Sequence, residues 1–121
     1  MSASNLNAGS PITTHVLDTA HGKPAVGIAA VLEFFVEGQW RPIGMGTTNA
    51  EGRIRDLLAS DRQLTPGMYR LSFDTGSYFA AMGTEGFYPY VLVVFELKSP
   101  EAHYHVPLLL SPYGYSTYRG S

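Results

Sequence analysis

Cysteine is absent from this chain of 121 residues, and charged side chains make up only 15% of it. The missing thiols exclude a disulfide scaffold, a thiolate nucleophile and a cysteine-based zinc site. No apolar run approaches the roughly 18 residues of a membrane span, and no signal-peptide pattern opens the chain, so we expect no membrane partner. The net charge of −2 gives no basic surface for a polyanion, so we expect no nucleic-acid partner.

Glycine and proline are plentiful, with 13 and 8 residues, and 45% of the chain is hydrophobic. This composition predicts one domain of short strands joined by tight turns. We expect residues 1–10 to form a flexible tail and residues 11–121 to form the domain. The protein is expected in the cytoplasm, and a periplasmic location stays open.

Alternating hydrophobicity and turn residues predict seven or eight strands. The predicted strands are residues 12–18, 28–36, 40–47, 53–55, 68–74, 90–97, 102–110 and 113–118. Residues 37–39 are predicted to form a three-residue hairpin loop, and the apolar run 90–97 a strand that is buried on both faces or central in its sheet. A helix of at most two turns is expected within residues 75–82. The pattern indicates an all-β antiparallel sandwich or barrel.

Histidine supplies the first candidate chemistry. His103 and His105 are one residue apart, so on a strand they project to the same face and could serve one pocket or one metal ion. His15 lies on the opposite face of its strand from Ile12 and Val16, which supply the better core. His15 is therefore either solvated or part of a second cavity.

The chain end is the second unusual feature, because residues 111–121 contain tyrosine, threonine and arginine but no lysine or glutamate. This composition predicts a segment held in a structured environment, or else an edge strand with a tyrosine-rich outer face. Nucleotide-binding and common hydrolase motifs are absent. From the residues alone, we predict a β-sandwich with a polar cluster, and no reaction can be assigned to it.

Four segments resemble the transthyretin-related 5-hydroxyisourate hydrolases. They are THVLD at residues 14–18, TNAEGR at 48–53, HYHVPLLLS at 103–111 and YRGS at 118–121. The similarity covers residues 12–121, and these segments distinguish the enzymes from the hormone carrier transthyretin, which lacks this set of histidine, arginine and tyrosine residues. Glu51 stands where the family commonly has aspartate.

The resemblance implies a transthyretin-like antiparallel β-sandwich of about eight strands with one short helix. It also implies a homotetramer with active sites in a channel between dimers. The implied reaction is hydrolysis of 5-hydroxyisourate to 2-oxo-4-hydroxy-4-carboxy-5-ureidoimidazoline, a step of urate degradation, with no cofactor and no metal.

Position by position, the resemblance implies five catalytic residues, namely His15, Arg53, His105, Tyr118 and Ser121, of which His15, Arg53 and Tyr118 also bind substrate. We interpret His105 as the general base toward water and His15 as a partner that orients water or substrate. Arg53 would bind the developing oxyanion, and Tyr118 would form a wall of the pocket.

His21 and His103 are expected to take no part in the chemistry. Two alternatives stay open. His15, His103 and His105 could bind zinc with an open water position. The protein could instead carry a small aromatic ligand in the channel of the tetramer.

Overall fold

Two β-sheets pack face to face in the computed structural model, which describes residues 9–121. Most of the predicted tail, residues 1–8, lies outside the described residues. Ser10 is buried, its hydroxyl donates to the carbonyl of Ile12, and the same oxygen accepts from the backbone N–H of Leu58. Packing of the domain therefore already includes Ser10, while the division at residue 11 stays a prediction.

Nine strands and one helix form the described part of the chain. In chain order they are β1 (Ile12–Asp18), β2 (Lys23–Pro24), β3 (Ala29–Val36), β4 (Gln39–Thr47), β5 (Arg53–Ile54), β6 (Gly67–Phe73), α1 (Thr75–Ala81), β7 (Val91–Leu97), β8 (Tyr104–Ser111) and β9 (Gly114–Thr117). One sheet has the order β2-β1-β8-β9 with β5 also paired to β1, and the other has the order β4-β3-β6-β7. The predicted all-β sandwich with one short helix is confirmed.

Strand direction departs from the expectation at one place. β1 and β8 run parallel, with Thr13 opposite His105, whereas the other strand pairs are antiparallel. Strands far apart in sequence are not joined by a hairpin, so no tight turn imposes an antiparallel direction on them.

The hairpin between β3 and β4 has a two-residue loop, so the predicted three-residue loop is wrong. Glu37 and Gly38 have φ of 53° and 74°, and Gln39 already belongs to β4. Two successive residues with positive φ match the twist of the flanking strands, which is why short hairpins favour this turn.

β7 is an edge strand, so the prediction that it is central or buried on both faces is also wrong. Val91 and Val93 are buried in the core, whereas Leu92 and Val94 are 40% and 53% exposed. A continuous apolar run does not show whether its second face is covered by the same chain. β7 therefore leaves an apolar strip on the surface of the single chain.

Alternation along β1 decides which side chains reach the outer face of its sheet. Ile12, Thr14 and Val16 are fully buried, whereas His15 is only half-buried on the opposite face. The hydroxyl of Thr14 is satisfied inside the core by donating to the backbone carbonyl of Val106. The predicted core face of this strand is confirmed, and Thr13 and His15 point away from it.

The core between the sheets is aliphatic and aromatic. Its most buried side chains include Ile12, Ile28, Leu32, Ile54, Tyr69, Leu71, Phe73, Val91, Leu97, Leu108 and Leu110.

α1 lies within the predicted range and begins after Asp74, whose carboxylate accepts from the backbone N–H of Ser77 as an N-cap. Within residues 9–121, no helix has the length and hydropathy to span a membrane.

Candidate active site

A polar hollow opens on the outer face of β1 and β8, where β5 and the chain end meet them. Its lining residues are Gly9, Thr13, Thr14, His15, Arg53, Arg55, His103, His105, Tyr118, Gly120 and Ser121. All five residues proposed from the sequence as catalytic are among them. The fold thus brings together side chains from both ends and the middle of the chain.

Strand register accounts for this convergence. Arg53 lies opposite His15 in the antiparallel pair β1–β5, and Thr13 lies opposite His105 in the parallel pair β1–β8. Side chains at directly opposed positions project from the same face of a sheet. Two pairings of one strand therefore place a guanidinium and two imidazoles on one surface.

The turn before β5 is held by the side chain of Asn49 and by its backbone. Oδ1 of Asn49 accepts from the backbone N–H groups of Glu51 and Arg53, each at 2.9 Å. Gly52 has φ of 77°, and a side chain there would collide with the carbonyl oxygen of Val16, so glycine is required. The side chain of Glu51 takes no part in this turn, and the glutamate at this position leaves Arg53 in place.

His15 has one tautomer fixed by its neighbour. Its Nε2 lies 2.8 Å from the carbonyl oxygen of Glu51. A carbonyl only accepts hydrogen bonds, so Nε2 carries the proton. In the neutral ring, Nδ1 is then the acceptor.

His105 is held in its neutral state. Burial lowers its pKa below the ordinary value of 6.5, and the positive charge of Arg53, together with His103 and His15 when they are charged, lowers it further. Its Nδ1 lies 2.8 Å from Oγ1 of Thr13, which leaves Nε2 as the ring nitrogen not used in this contact. A neutral imidazole at physiological pH is suited to act as a general base.

The chain end packs directly on His105. The backbone N–H of Gly120 donates to the carbonyl of His105 at 2.8 Å, and a Cβ at Gly120 would lie only 2.6 Å from Cδ2 of the His105 ring. The guanidinium of Arg119 stacks 4.5 Å above the ring of Tyr104. These contacts bring Tyr118 and Ser121 to the rim of the hollow, where both are exposed in the single chain.

Two residues of the hollow, Thr13 and Gly120, were not named as site residues from the sequence, although both contact His105. His103 also lines the hollow and lies 3.3 Å from Oγ1 of Thr13, and the expectation that it takes no part in the chemistry stays a prediction. His21 lies elsewhere, bound to Asp18 at 2.8 Å.

The three histidines of the zinc alternative share the hollow. Nε2 of His15 bonds to Glu51, and rings of His103 and His105 both contact Thr13. Over residues 9–121, no three histidine, aspartate or glutamate side chains are arranged so that they could hold a metal ion. The geometry therefore offers that alternative no ready set of ligands.

Comparisons with known proteins all point to one family. The model of the HIUase/Transthyretin family matches residues 12–120. The chain is 49% identical over 114 residues to the 5-hydroxyisourate hydrolase of Mus musculus, with 93% of this chain and 96% of that protein covered. It is 46% identical over 117 residues to the 5-hydroxyisourate hydrolase of Salmonella typhi, with 96% and 85% covered.

Solved structures of both branches of that family are also similar. The 5-hydroxyisourate hydrolase of Klebsiella pneumoniae superposes with a TM-score of 0.79 at 36% identity, with 91% of this chain and 98% of that chain covered. Sea bream transthyretin in complex with thyroxine superposes with a TM-score of 0.84 at 35% identity, with 91% and 94% covered. The predicted transthyretin-like sandwich is confirmed, and the fold alone does not separate the two activities.

Proposed function

This chain belongs to the HIUase/Transthyretin family, and from that premise we propose that it hydrolyses 5-hydroxyisourate in the polar hollow. Relatives named 5-hydroxyisourate hydrolase match it over most of their own length. The product is 2-oxo-4-hydroxy-4-carboxy-5-ureidoimidazoline, which places the enzyme in urate degradation. The observation that carries the assignment is that His15, Arg53 and His105 line one hollow, in which burial and the charge of Arg53 lower the pKa of His105.

Attack by water begins the reaction. Nδ1 of His105 contacts Thr13, and when that nitrogen carries the ring proton, Nε2 takes a proton from water. The water oxygen bonds to C6 of the substrate, and the electron pair of the carbonyl moves onto its oxygen. A positioned base of this kind contributes about 10²–10⁴-fold to a rate.

Arg53 stabilises the charge that develops on the carbonyl oxygen. Its guanidinium presents several N–H donors in a rigid plane, and it comes from β5 directly opposite His15. The strand and the Asn49 turn fix its backbone beside His15, which directs the side chain into the hollow.

Ring opening completes the reaction. The carbonyl re-forms, the C6–N1 bond breaks, and N1 receives the proton that His105 took from water. His15, with Nε2 bonded to Glu51, offers Nδ1 as an acceptor for water or a ring N–H group. We assign Tyr118 and Ser121 to the wall of the site, where their hydroxyl groups bind polar atoms of the substrate.

A homotetramer is part of the proposal. The exposed apolar side chains gather on the strands that edge the two sheets and on the chain end: Tyr90, Leu92, Val94, Tyr115 and Tyr118 are 57%, 40%, 53%, 42% and 56% exposed. Apolar edge strands are a favourable surface for pairing with a second copy. Light scattering during size-exclusion chromatography tests this assembly, and a monomer at assay concentration would contradict it.

The activity itself is tested by generating 5-hydroxyisourate with urate oxidase and following the decay of its absorbance. We expect faster decay with the wild-type protein and with His21→Ala, whose imidazole lies outside the hollow, but not with His105→Ala. Decay at the spontaneous rate with the wild-type protein would overturn the proposal. Repeating the assay after chelation, then with added zinc, tests the zinc alternative.

The similarity to sea bream transthyretin with bound thyroxine favours one second candidate, a carrier of a small aromatic ligand. This candidate predicts tight thyroxine binding by calorimetry together with no turnover of 5-hydroxyisourate. The cytoplasmic location stays a prediction from the sequence.

A further inference from the structure

The hydroxyl of Thr13 lies between two imidazoles. Its Oγ1 is 2.8 Å from Nδ1 of His105 and 3.3 Å from Nε2 of His103, and the residue is only 8% exposed. The parallel pairing of β1 and β8 holds this arrangement, because it places Thr13 opposite His105. The three groups form a continuous row along one edge of the hollow.

Two proton arrangements use the hydroxyl proton within the row; if both rings donated to Oγ1, which can accept twice, that proton would have to bond outside the row. In the first, Nδ1–H of His105 donates to Oγ1, and the hydroxyl donates to Nε2 of His103. In the second, both hydrogen bonds are reversed. The first leaves Nε2 of His105 unprotonated, and the second places a proton there.

We propose that Thr13 and His103 are positioning residues that select the tautomer of His105 with an unprotonated Nε2. The inference rests on the proposed function, in which that nitrogen takes the proton of water. Neutral His103 accepts the hydroxyl proton of Thr13, so Oγ1 accepts from Nδ1–H of His105. When His105 becomes protonated during turnover, the same two hydrogen bonds are kept, and no rearrangement is needed.

Several charged or titratable groups surround this row. They are His15 from β1, Arg53 and Arg55 from β5 and its end, and Arg62 and Glu101 from the adjacent loops. They are unchanged in variants of Thr13, so such variants isolate the hydroxyl.

Imidazole ¹⁵N chemical shifts measure the tautomer without any turnover. We expect His105 of the wild-type protein at pH 8 to carry its proton on Nδ1. Thr13→Ser keeps the hydroxyl and this tautomer, whereas the nearly isosteric Thr13→Val loses the preference. A wild-type proton on Nε2, or the same tautomer in Thr13→Val, overturns the inference.

Kinetics supply the second test. Thr13→Val should lower kcat about tenfold while KM changes less than about twofold, a smaller effect than the about 10²–10⁴-fold loss of the base itself. Thr13→Ser should restore kcat. His103→Phe, at an exposed position, removes the acceptor of the hydroxyl proton of Thr13 and should lower kcat in the same direction.

The two tests separate the inference from the function on which it rests. No hydrolysis by the wild-type protein contradicts the proposed function, whatever the tautomer. Hydrolysis with an equal kcat in the wild-type protein and in Thr13→Val contradicts the inference alone.

Discussion

β1 carries a polar cluster at each end, and one cluster favours a charged side chain whereas the other favours a neutral one. At the C-terminal end of β1, the carboxylate of Asp18 is fully buried and accepts from the hydroxyl of Tyr78 at 2.7 Å. It also accepts from Nδ1 and from the backbone N–H of His21, at 2.8 and 3.0 Å. Near its beginning, His105 contacts one neutral hydroxyl and faces groups of positive charge.

The pKa values record this contrast. Burial would raise the pKa of Asp18, but the hydrogen bonds from Tyr78 and His21 outweigh it, so the pKa lies below its ordinary value of 3.8. Burial lowers the pKa of His105, and the charge of Arg53 acts in the same direction. A lowered pKa keeps Asp18 charged but keeps His105 neutral.

A structural cluster and a reactive cluster differ in the hydrogen-bonding capacity that they leave for a ligand. The charge of Asp18 is satisfied by donors of this chain, so the group has little capacity left for a ligand. His105 has a ring nitrogen outside its contact with Thr13 and a pKa shifted toward the neutral base. Hydrolysis and stability should therefore respond to different ends of the strand.

The largest effect is expected from His105→Ala. We predict a loss of about 10²–10⁴-fold in kcat/KM, because the variant removes the base, with little change in Tm because the ring is only half-buried. The urate oxidase-coupled assay and calorimetry measure the two quantities. Activity within threefold of the wild-type value would show that His105 is not the base.

At the other end of β1, Tyr78→Phe should lower stability and leave activity nearly unchanged. The variant removes a hydrogen bond to a buried carboxylate, which costs about 1.5–3 kcal/mol. Chemical denaturation at pH 7 measures this change. Tyr113→Phe is the matched control, since that residue is 67% exposed.

The pH dependence of this second effect has a definite sign. Since folding lowers the pKa of Asp18, its stabilising contribution is present above its ordinary value of 3.8 and is lost as the pH falls through the folded-state pKa. The stability difference between the wild-type protein and Tyr78→Phe should therefore shrink in acid. A difference of the same size at pH 3 would argue against hydrogen bonding to the carboxylate as the cause.

Gly120→Ala is expected to be intermediate in effect. The added Cβ would lie 2.6 Å from Cδ2 of His105, so either the ring or the chain end must move, and we predict a loss of about 10–100-fold in activity. Gly114→Ala is the control in the same terminal segment, because its Cβ would meet its nearest neighbour at 3.7 Å. Equal activity of the two variants would show that the chain end does not position His105.

Local patterns in the sequence predicted the strands and the faces of β1 well. The alternation of Ile12, Thr14 and Val16 with polar residues sufficed to predict a core face and an outer face. The residues of the candidate site came from the family resemblance, and the structure brings them into one hollow without testing their roles.

Features that depend on pairing between residues far apart in the sequence could not be predicted from local patterns. The contact of Thr13 with His105 joins residues 92 positions apart through a parallel strand pair, and no local rule predicts that register. The exposed face of β7 was missed for a related reason, since burial of Leu92 and Val94 depends on what lies beside the sheet. The two-residue loop was missed because it requires positive φ at Glu37, a non-glycine residue.

The smallest effect is the pKa change of His105 in Arg53→Gln, which is separate from the loss of activity caused by removing the oxyanion donor. Removing the charge of Arg53 should raise the pKa of His105, because one of the positive charges that disfavour the imidazolium is lost. As the base works only when neutral, the acid limb of activity should move to higher pH in this variant. Titration of the His105 ring by NMR measures the pKa directly, and Arg41→Gln, on β4 of the other sheet, is the matched control. An unchanged or lower pKa in Arg53→Gln would mean that burial alone keeps His105 neutral, and the contrast with Asp18 would then rest on hydrogen bonding rather than on neighbouring charge.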